Sequence, residues 1–357
     1  MVKSRFESLG CHMPERVVTS KELLGSMAAK PTVNLERLTG IERRRYRSVT
    51  DDSLGLGLAA ARDCLSRSRY RPDDVEAIIW TSITRLTNVD DFQFEPAMSL
   101  CLKNELGATR ALHFDLANAC AGMLTGVLVL DDLIKAGVVR NGLVVSGEVI
   151  THLADTAVRE IKDREDDQVA SLTVGDSGAA VLMDRSPSAS EGVDCAEMRT
   201  YAQFSDLCFG MPSDQSAERL RIAMYTKAVE IHAESVRRLP RHIGDWLTAH
   251  ADTLLVDPVR PFTWIIPHQT ALRVMTAVTR DLFKHIRTIE GFERITMPEL
   301  LTYIREFGNT STTSHFVVLY HALKDKKVKP GDSVLLVPQA SGIVAGFTFV
   351  RLGNLEV

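Results

Sequence analysis

Short apolar runs alternate with longer amphipathic stretches along the whole chain. The runs Glu76–Thr81 (EAIIWT), Leu143–Ser146 (LVVS), Trp264–Ile266 (WII) and Val334–Val337 (VLLV) predict buried strands. Helical spacing of apolar positions predicts helices at about 51–68, 93–106, 120–137, 216–239, 269–286 and 310–324. In the fourth of these, Ile222, Met224, Tyr225, Val229, Ile231 and Val236 are expected to form a core or tunnel wall. Strands alternating with helices indicate an α/β architecture with helices packed on sheets. The polar, small-residue stretch Arg185–Glu191 (RSPSASE) is the best boundary near the middle and divides the chain into 1–184 and 185–357.

The two parts resemble one another. A helix expected from Cys120 to Lys135 is followed by Asn141-Gly142 and a strand. A helix expected from Thr310 to Lys324 is followed by Pro330-Gly331 and a strand. A shift of about 190 residues superposes them. Such a repeat would turn the first residues of two equivalent helices toward one shared site.

Composition narrows the class. Hydrophobic residues make up 45% and charged residues 25%, as in a globular protein. Net charge is -4 with both signs interspersed, which argues against a nucleic-acid footprint. The cluster Arg43-Arg44-Arg45 is short enough to be a solvated face or a phosphate-steering patch. No apolar run reaches a membrane span and the first residues lack a secretory core, so a cytoplasmic location is expected. The cysteines at 11, 64, 101, 120, 195 and 208 show no CxxC spacing; no metal site and no bound cofactor are expected. Gly55-Leu56-Gly57-Leu58-Ala59-Ala60 fits G-x-G-x-x-A but follows a helix cap rather than a strand, so the dinucleotide context is missing.

Three segments carry candidate chemistry. In Ala117-Asn118-Ala119-Cys120-Ala121-Gly122 a cysteine stands among small residues where a strand gives way to a helix. A helix start favours thiolate, the species that attacks a thioester. In Ile266-Pro267-His268-Gln269 a strand ends and His268 is expected to open a helix, which favours a neutral imidazole. In Phe307-Gly308-Asn309-Thr310-Ser311 the polar residues can cap a helix, and the Asn309 amide can also donate to an oxyanion.

Cys, His and Asn in this order resemble the β-ketoacyl-ACP synthase III group of the thiolase superfamily. NACAG at 118–122, PHQ at 267–269 and GNTS at 308–311 are similar to that family's nucleophile, histidine and asparagine motifs. Val174–Ala180 is similar to its glycine-rich segment, Ala340-Ser341-Gly342 to its C-terminal loop, and Leu38–Arg44 to its TGI-x-x-R element. The resemblance implies a five-layer αβαβα fold of two similar halves and usually a homodimer. It implies that Cys120 takes an acyl group from a thioester and that His268 and Asn309 stabilise an enolate during Claisen condensation. The backbone N–H groups of Cys120 and of Ser341-Gly342 would hold the thioester oxyanion. The substrates implied are acyl or malonyl thioesters of CoA or of an acyl carrier protein. Acyl transfer from Cys120 to an alcohol or amine is the alternative, and an idle partner subunit a third reading.

Phe92-Gln93-Phe94-Glu95-Pro96-Ala97 is similar to a segment of the head-to-head acyl-CoA condensing enzymes of olefin biosynthesis. There a glutamate entering from the dimer partner removes an α-proton, and Glu95 stands at its position. Glu95 could instead start a helix with Pro96 at its first position. Asn34–Leu38 lacks the Trp that CoA-using members commonly carry, which favours a carrier-protein thioester or a different CoA pose. His315 stands where the family usually has an apolar residue, and is expected to be a satisfied core histidine rather than a site group.

Overall fold

The computed structural model describes residues 3–29, 34–87, 91–213, 215, 221–250 and 259–357. Two mixed sheets dominate. The first runs Ser4–His12, Ser177–Arg185, Asn141–Glu148, Ala77–Trp80, Leu112–Asp115. The second runs Gly192–Phe204, Gly342–Arg351, Ser333–Val337, Trp264–Pro267, Glu299–Leu300. In each, the first two pairings are antiparallel and the last two parallel. One topology is therefore used twice.

Alternation within the strands explains the layering. Ala77, Ile79 and Val144 point into one core, while Ile78, Trp80, Leu143 and Val145 point into another. Val334, Leu336 and Ile266 share the first of these cores, and Leu335, Val337 and Ile265 enter a third. Both faces of both sheets are apolar, as buried parallel strands require. The shared core takes Met123, Leu124, Val127 and Leu130 of the helix Gly122–Lys135 and Phe316, Val318 and Leu319 of the helix Ser314–Lys324. These two helices form the central layer. The helices Ser53–Arg67 and Met98–Leu106 cover the outer face of the first sheet, and Ala228–His250 and Leu272–Ile286 that of the second. The result is a five-layer αβαβα sandwich.

The repeat has an offset of 192 residues rather than 190. The 3-10 turns Ala119–Ala121 and Ser311–Thr313, the helices beginning at Gly122 and Ser314, and the strands beginning at Asn141 and Ser333 all keep it. Ala119 and Ser311, themselves 192 apart, both have positive φ, 43° and 56°. The counterpart of Cys120 is therefore Thr312.

The expected helix at 216–239 is corrected. Ile222–Thr226 is a strand paired antiparallel with Cys208–Pro212, and the helix begins at Ala228 and continues to His250. Residues 216–220 of that expectation lie outside the described residues. A five-residue apolar run has no periodicity to separate strand from helix, and here a partner strand decides it. The helix expected at 93–106 begins only at Met98, because Asp115 accepts hydrogen bonds from the N–H groups of Met98 (3.1 Å) and Ser99 (2.9 Å). Pro96 thus precedes that helix rather than opening it.

Candidate active site

Cys120 lies in the 3-10 turn Ala119–Ala121, one residue short of the helix Gly122–Lys135. The turn is wedged between Thr81, just past the strand Ala77–Trp80, and Thr312. A Cβ on Gly122 would meet the carbonyl oxygen of Thr81 at 2.5 Å and Cγ2 of Thr312 at 3.1 Å, so only glycine lets the nucleophile turn sit this close. Around the sulfur pack Ala119, Ala121, Ala340 and Val344. The Ser311 hydroxyl lies 3.8 Å from Cys120 Sγ.

The packing works against the expected thiolate. Burial pushes the Cys120 thiol up to about 12, with the nearby Cys208 thiol and Glu148 adding to the rise and Ser311 opposing it. Desolvation outweighs the half-charge of a helix start. The resting group is a thiol.

His268 follows the strand Trp264–Pro267, but it does not open a helix. Its backbone N–H donates to Val337 O (2.9 Å), and the helix begins only at Leu272. Burial, and then the proximity of His315, lowers its pKa to about 3. The imidazole is neutral as expected, through desolvation rather than a helix dipole. Its Nδ1 is buried without a hydrogen-bond partner among the described residues. His315 stacks on it with ring centroids 6.0 Å apart, and His315 Nε2 donates to the same Val337 carbonyl (3.1 Å). His315 is thus a core histidine by burial and a site neighbour by contact.

Asn309 follows Gly308, whose φ of +65° places it where only glycine is unstrained. A Cβ there would also meet Thr173 O at 2.6 Å. The Asn309 backbone pairs with the glycine-rich segment: its N–H donates to Thr173 O (2.9 Å), and Gly175 N–H donates to Asn309 O (3.0 Å). Its Oδ1 accepts from Ser311 N–H (2.9 Å), leaving the amide NH2 as the free donor end. Two residues on, Ser311 reaches the sulfur. Ser341 and Gly342 follow Ala340, which packs on the nucleophile turn; the Ser341 hydroxyl donates to Cys208 Sγ (3.1 Å).

Ser311 thus joins the Asn309 turn to Cys120, Ala340 joins the Ser341-Gly342 loop to the same turn, and His268 stands at its strand end beside His315. Glu95 is not in this group. It is exposed on the segment before the helix Met98–Leu106, between the exposed Phe94 and Pro96. Of the arginine cluster, Arg43 pairs with Glu306 and Arg44 is fully buried, donating to the Ser20 hydroxyl (3.0 Å). A phosphate-steering patch is not what these side chains form.

Two groups escaped sequence reading. Glu148 is buried at the end of the strand Asn141–Glu148, where α/β sites collect; that position was the one available signal. Cys208 begins a strand and bonds Ser341 and Thr226, and no local pattern marks it.

Comparison with known proteins decides the family. Residues 114–202 match the family model of 3-oxoacyl-[acyl-carrier-protein (ACP)] synthase III, and residues 259–352 match its C-terminal counterpart. The chain belongs to the synthase III family of the thiolase superfamily. It is 26% identical over 353 residues to β-ketoacyl-[acyl-carrier-protein] synthase III of Acidiphilium cryptum, covering 98% of this chain and 100% of that protein. Among solved synthase III-like structures, cerulenin-bound OleA of Xanthomonas campestris superposes with a TM-score of 0.80 at 20% identity, over 99% of this chain and 98% of that one. The priming β-ketosynthase of the R1128 polyketide pathway gives a TM-score of 0.80 at 22% identity, over 98% and 96%. The synthase III of Aquifex aeolicus gives 0.77 at 22%, over 99% and 100%. Among the described residues no helix is long and apolar enough to cross a membrane.

Proposed function

We propose that this synthase III-like protein joins two acyl units by Claisen condensation through an acyl-enzyme on Cys120. The observation that supports the reading is the contact of the Asn309–Ser311 turn with Cys120 through Ser311, together with a buried, unpartnered His268 Nδ1 at the end of the strand Trp264–Pro267. Cys120 sulfur attacks the donor thioester carbonyl, and the carrier leaves as its thiol with the proton the sulfur gives up. Loss of an α-proton to a base, or of CO2 from a malonyl unit, makes the enolate of the second thioester; His268 and the Asn309 amide donate to its oxygen while its carbon attacks the acyl-enzyme carbonyl. Cys120 leaves as a thiolate and regains its proton from the protonated base or from solvent. A neutral imidazole keeps one N–H to donate to that oxygen. The N–H groups of Cys120 and of the Ser341-Gly342 loop are assigned to the acyl oxygen. No bound cofactor enters.

The donor is assigned to an acyl-carrier or acyl-CoA thioester in the cytoplasm. The segment Asn34–Leu38, without Trp, is capped by its own Asn34 side chain and offers no aromatic clamp for adenine, which favours the carrier protein. A homodimer is assigned because the first sheet ends in the edge strand Leu112–Asp115 with Leu112 exposed, and Phe92 and Phe94 are exposed nearby in sequence to Glu95. An exposed Glu95 on such a surface is free to enter the partner's site as the α-proton base.

Asn309→Ala tests the step. Loss of one oxyanion donor costs roughly 100- to 1000-fold in rate. The variant is expected to load acyl on Cys120 normally and to make little condensed product; normal turnover would favour transfer to an alcohol or amine instead. Glu95→Gln tests the base. It should load and fail to condense non-malonyl thioesters, whereas a fully active variant with a strict malonyl requirement assigns decarboxylative condensation.

A further inference from the structure

Glu148 is fully buried, and four donors converge on its carboxylate. Oε1 accepts from Ile83 N–H (2.9 Å) and the Thr312 hydroxyl (2.7 Å). Oε2 accepts from Thr84 N–H (3.3 Å) and the Thr84 hydroxyl (2.9 Å). The donors belong to two separate segments. Ile83 and Thr84 start the stretch that leads from the strand Ala77–Trp80 to Glu95. Thr312 lies in the turn that follows Asn309, next to Ser311 at the sulfur. Thr312 Cγ2 also stands at the start of the nucleophile helix, against Gly122. The Ser146 hydroxyl, on the same strand as Glu148, bonds both Thr312 (2.6 Å) and Ser82 (3.0 Å).

We infer that Glu148 is a positioning residue of the condensing site: its two carboxylate oxygens tie the segment leading to Glu95 and the turn carrying Asn309 to one strand end behind Cys120. This rests on the condensation reading above. Glu148 touches neither the sulfur nor a substrate, so its action runs through the groups it holds. Only a carboxylate suits the place. Each oxygen faces a backbone N–H, and an amide has one oxygen and one NH2. Glu148→Gln in either orientation leaves a backbone N–H of Ile83 or Thr84 opposite another donor. Glu148 bonds Thr312, three residues after Asn309, and makes no hydrogen bond to Cys120 or to the Ser341-Gly342 loop, so condensation should suffer more than loading.

The experiment compares wild type, Glu148→Gln, Thr312→Val and the double variant, using an acyl-carrier thioester donor and a malonyl or simple acyl thioester as second substrate. Loading is read by intact mass, condensation by steady-state kcat and KM, and local order by amide hydrogen exchange. An unsatisfied buried group is expected to lower kcat roughly 10- to 100-fold in Glu148→Gln, with loading and KM within about threefold of wild type. Exchange should speed up at Ile83, Thr84 and Thr312. The double variant should fall little below the worse single one, because both break the same link. Wild-type condensation by Glu148→Gln overturns the inference and leaves the reading standing. So does loss of loading and condensation in step with the melting midpoint, which marks a merely structural carboxylate. A wild-type protein that loads but condenses no pair of thioesters sinks the reading itself, and the inference with it.

Discussion

The turns Ala119–Ala121 and Ser311–Thr313 are the same backbone used for opposite ends. Each starts from a residue of positive φ, makes one 3-10 turn and enters a central helix. In the first, the middle residue is Cys120, only partly buried as a residue and packed by Ala119, Ala121, Ala340 and Val344. In the second it is Thr312, buried, with its hydroxyl donated to Glu148. One copy presents a nucleophile and the other anchors the groups that face it. Duplication supplied two helix starts pointing at one place, and side-chain choice divided the labour.

The division can be broken most severely by exchanging the roles. Cys120→Ala is expected to abolish acyl loading. Adding Thr312→Cys should not restore it, because position 312 is enclosed and its side chain points to Glu148. A mass shift on the double variant would show that the two turns are interchangeable.

The turns also differ at the first residue of the helix. Gly122 has no room for a Cβ against Thr81 O, whereas its counterpart Ser314 carries a side chain that only accepts from the Thr310 hydroxyl (3.3 Å). Gly122→Ala must move backbone and should destabilise by about 1–3 kcal/mol. Ser314→Ala should cost about 1 kcal/mol or less. Denaturant midpoints of the two variants check this; equal losses would remove the asymmetry.

Acid should act mainly on the second half. Burial lowers His268 from 6.5 to about 3, and His315 and His321 to about 4. The folded state keeps them neutral while the unfolded chain protonates them, so their stabilising share is present above pH 6.5 and is lost as pH falls toward 4. Burial raises Asp176 to about 6, and this carboxyl holds a proton in the folded state over part of the same window, which opposes the loss. Burial lowers His242 in the same sense, so the lowered histidines leave a net destabilisation on acidification, about 1.4 kcal/mol per pH unit for each net proton. Urea unfolding between about pH 7 and pH 5 reads the sign; rising stability on acidification would contradict the burial of the histidine pair.

Much of this was legible in the chain. β-branched apolar runs marked the four central strands, and the Cys120, His268 and Asn309 motifs carried the family. What escaped depends on tertiary packing. Ile222–Thr226 is too short for periodicity and took its conformation from Cys208–Pro212. A helix start is a local feature and favours ionised Cys120, while the desolvation that opposes it comes in part from Ala340 and Val344, more than two hundred positions away. Glu148 looks like any acid after a strand until Ile83, Thr84 and Thr312 are seen to converge on it. His315 could not be placed until the ring of His268 was found beside it.

The central claim is an acyl-enzyme on Cys120. Incubation of wild type and Cys120→Ala with a panel of acyl-CoA and acyl-carrier thioesters, followed by intact-protein mass spectrometry and peptide mapping, tests it directly. A single acyl mass on wild type, mapped to Cys120 and missing from the variant, is the expected result. Equal labelling of both proteins, or an adduct mapped to Cys208, would contradict the account.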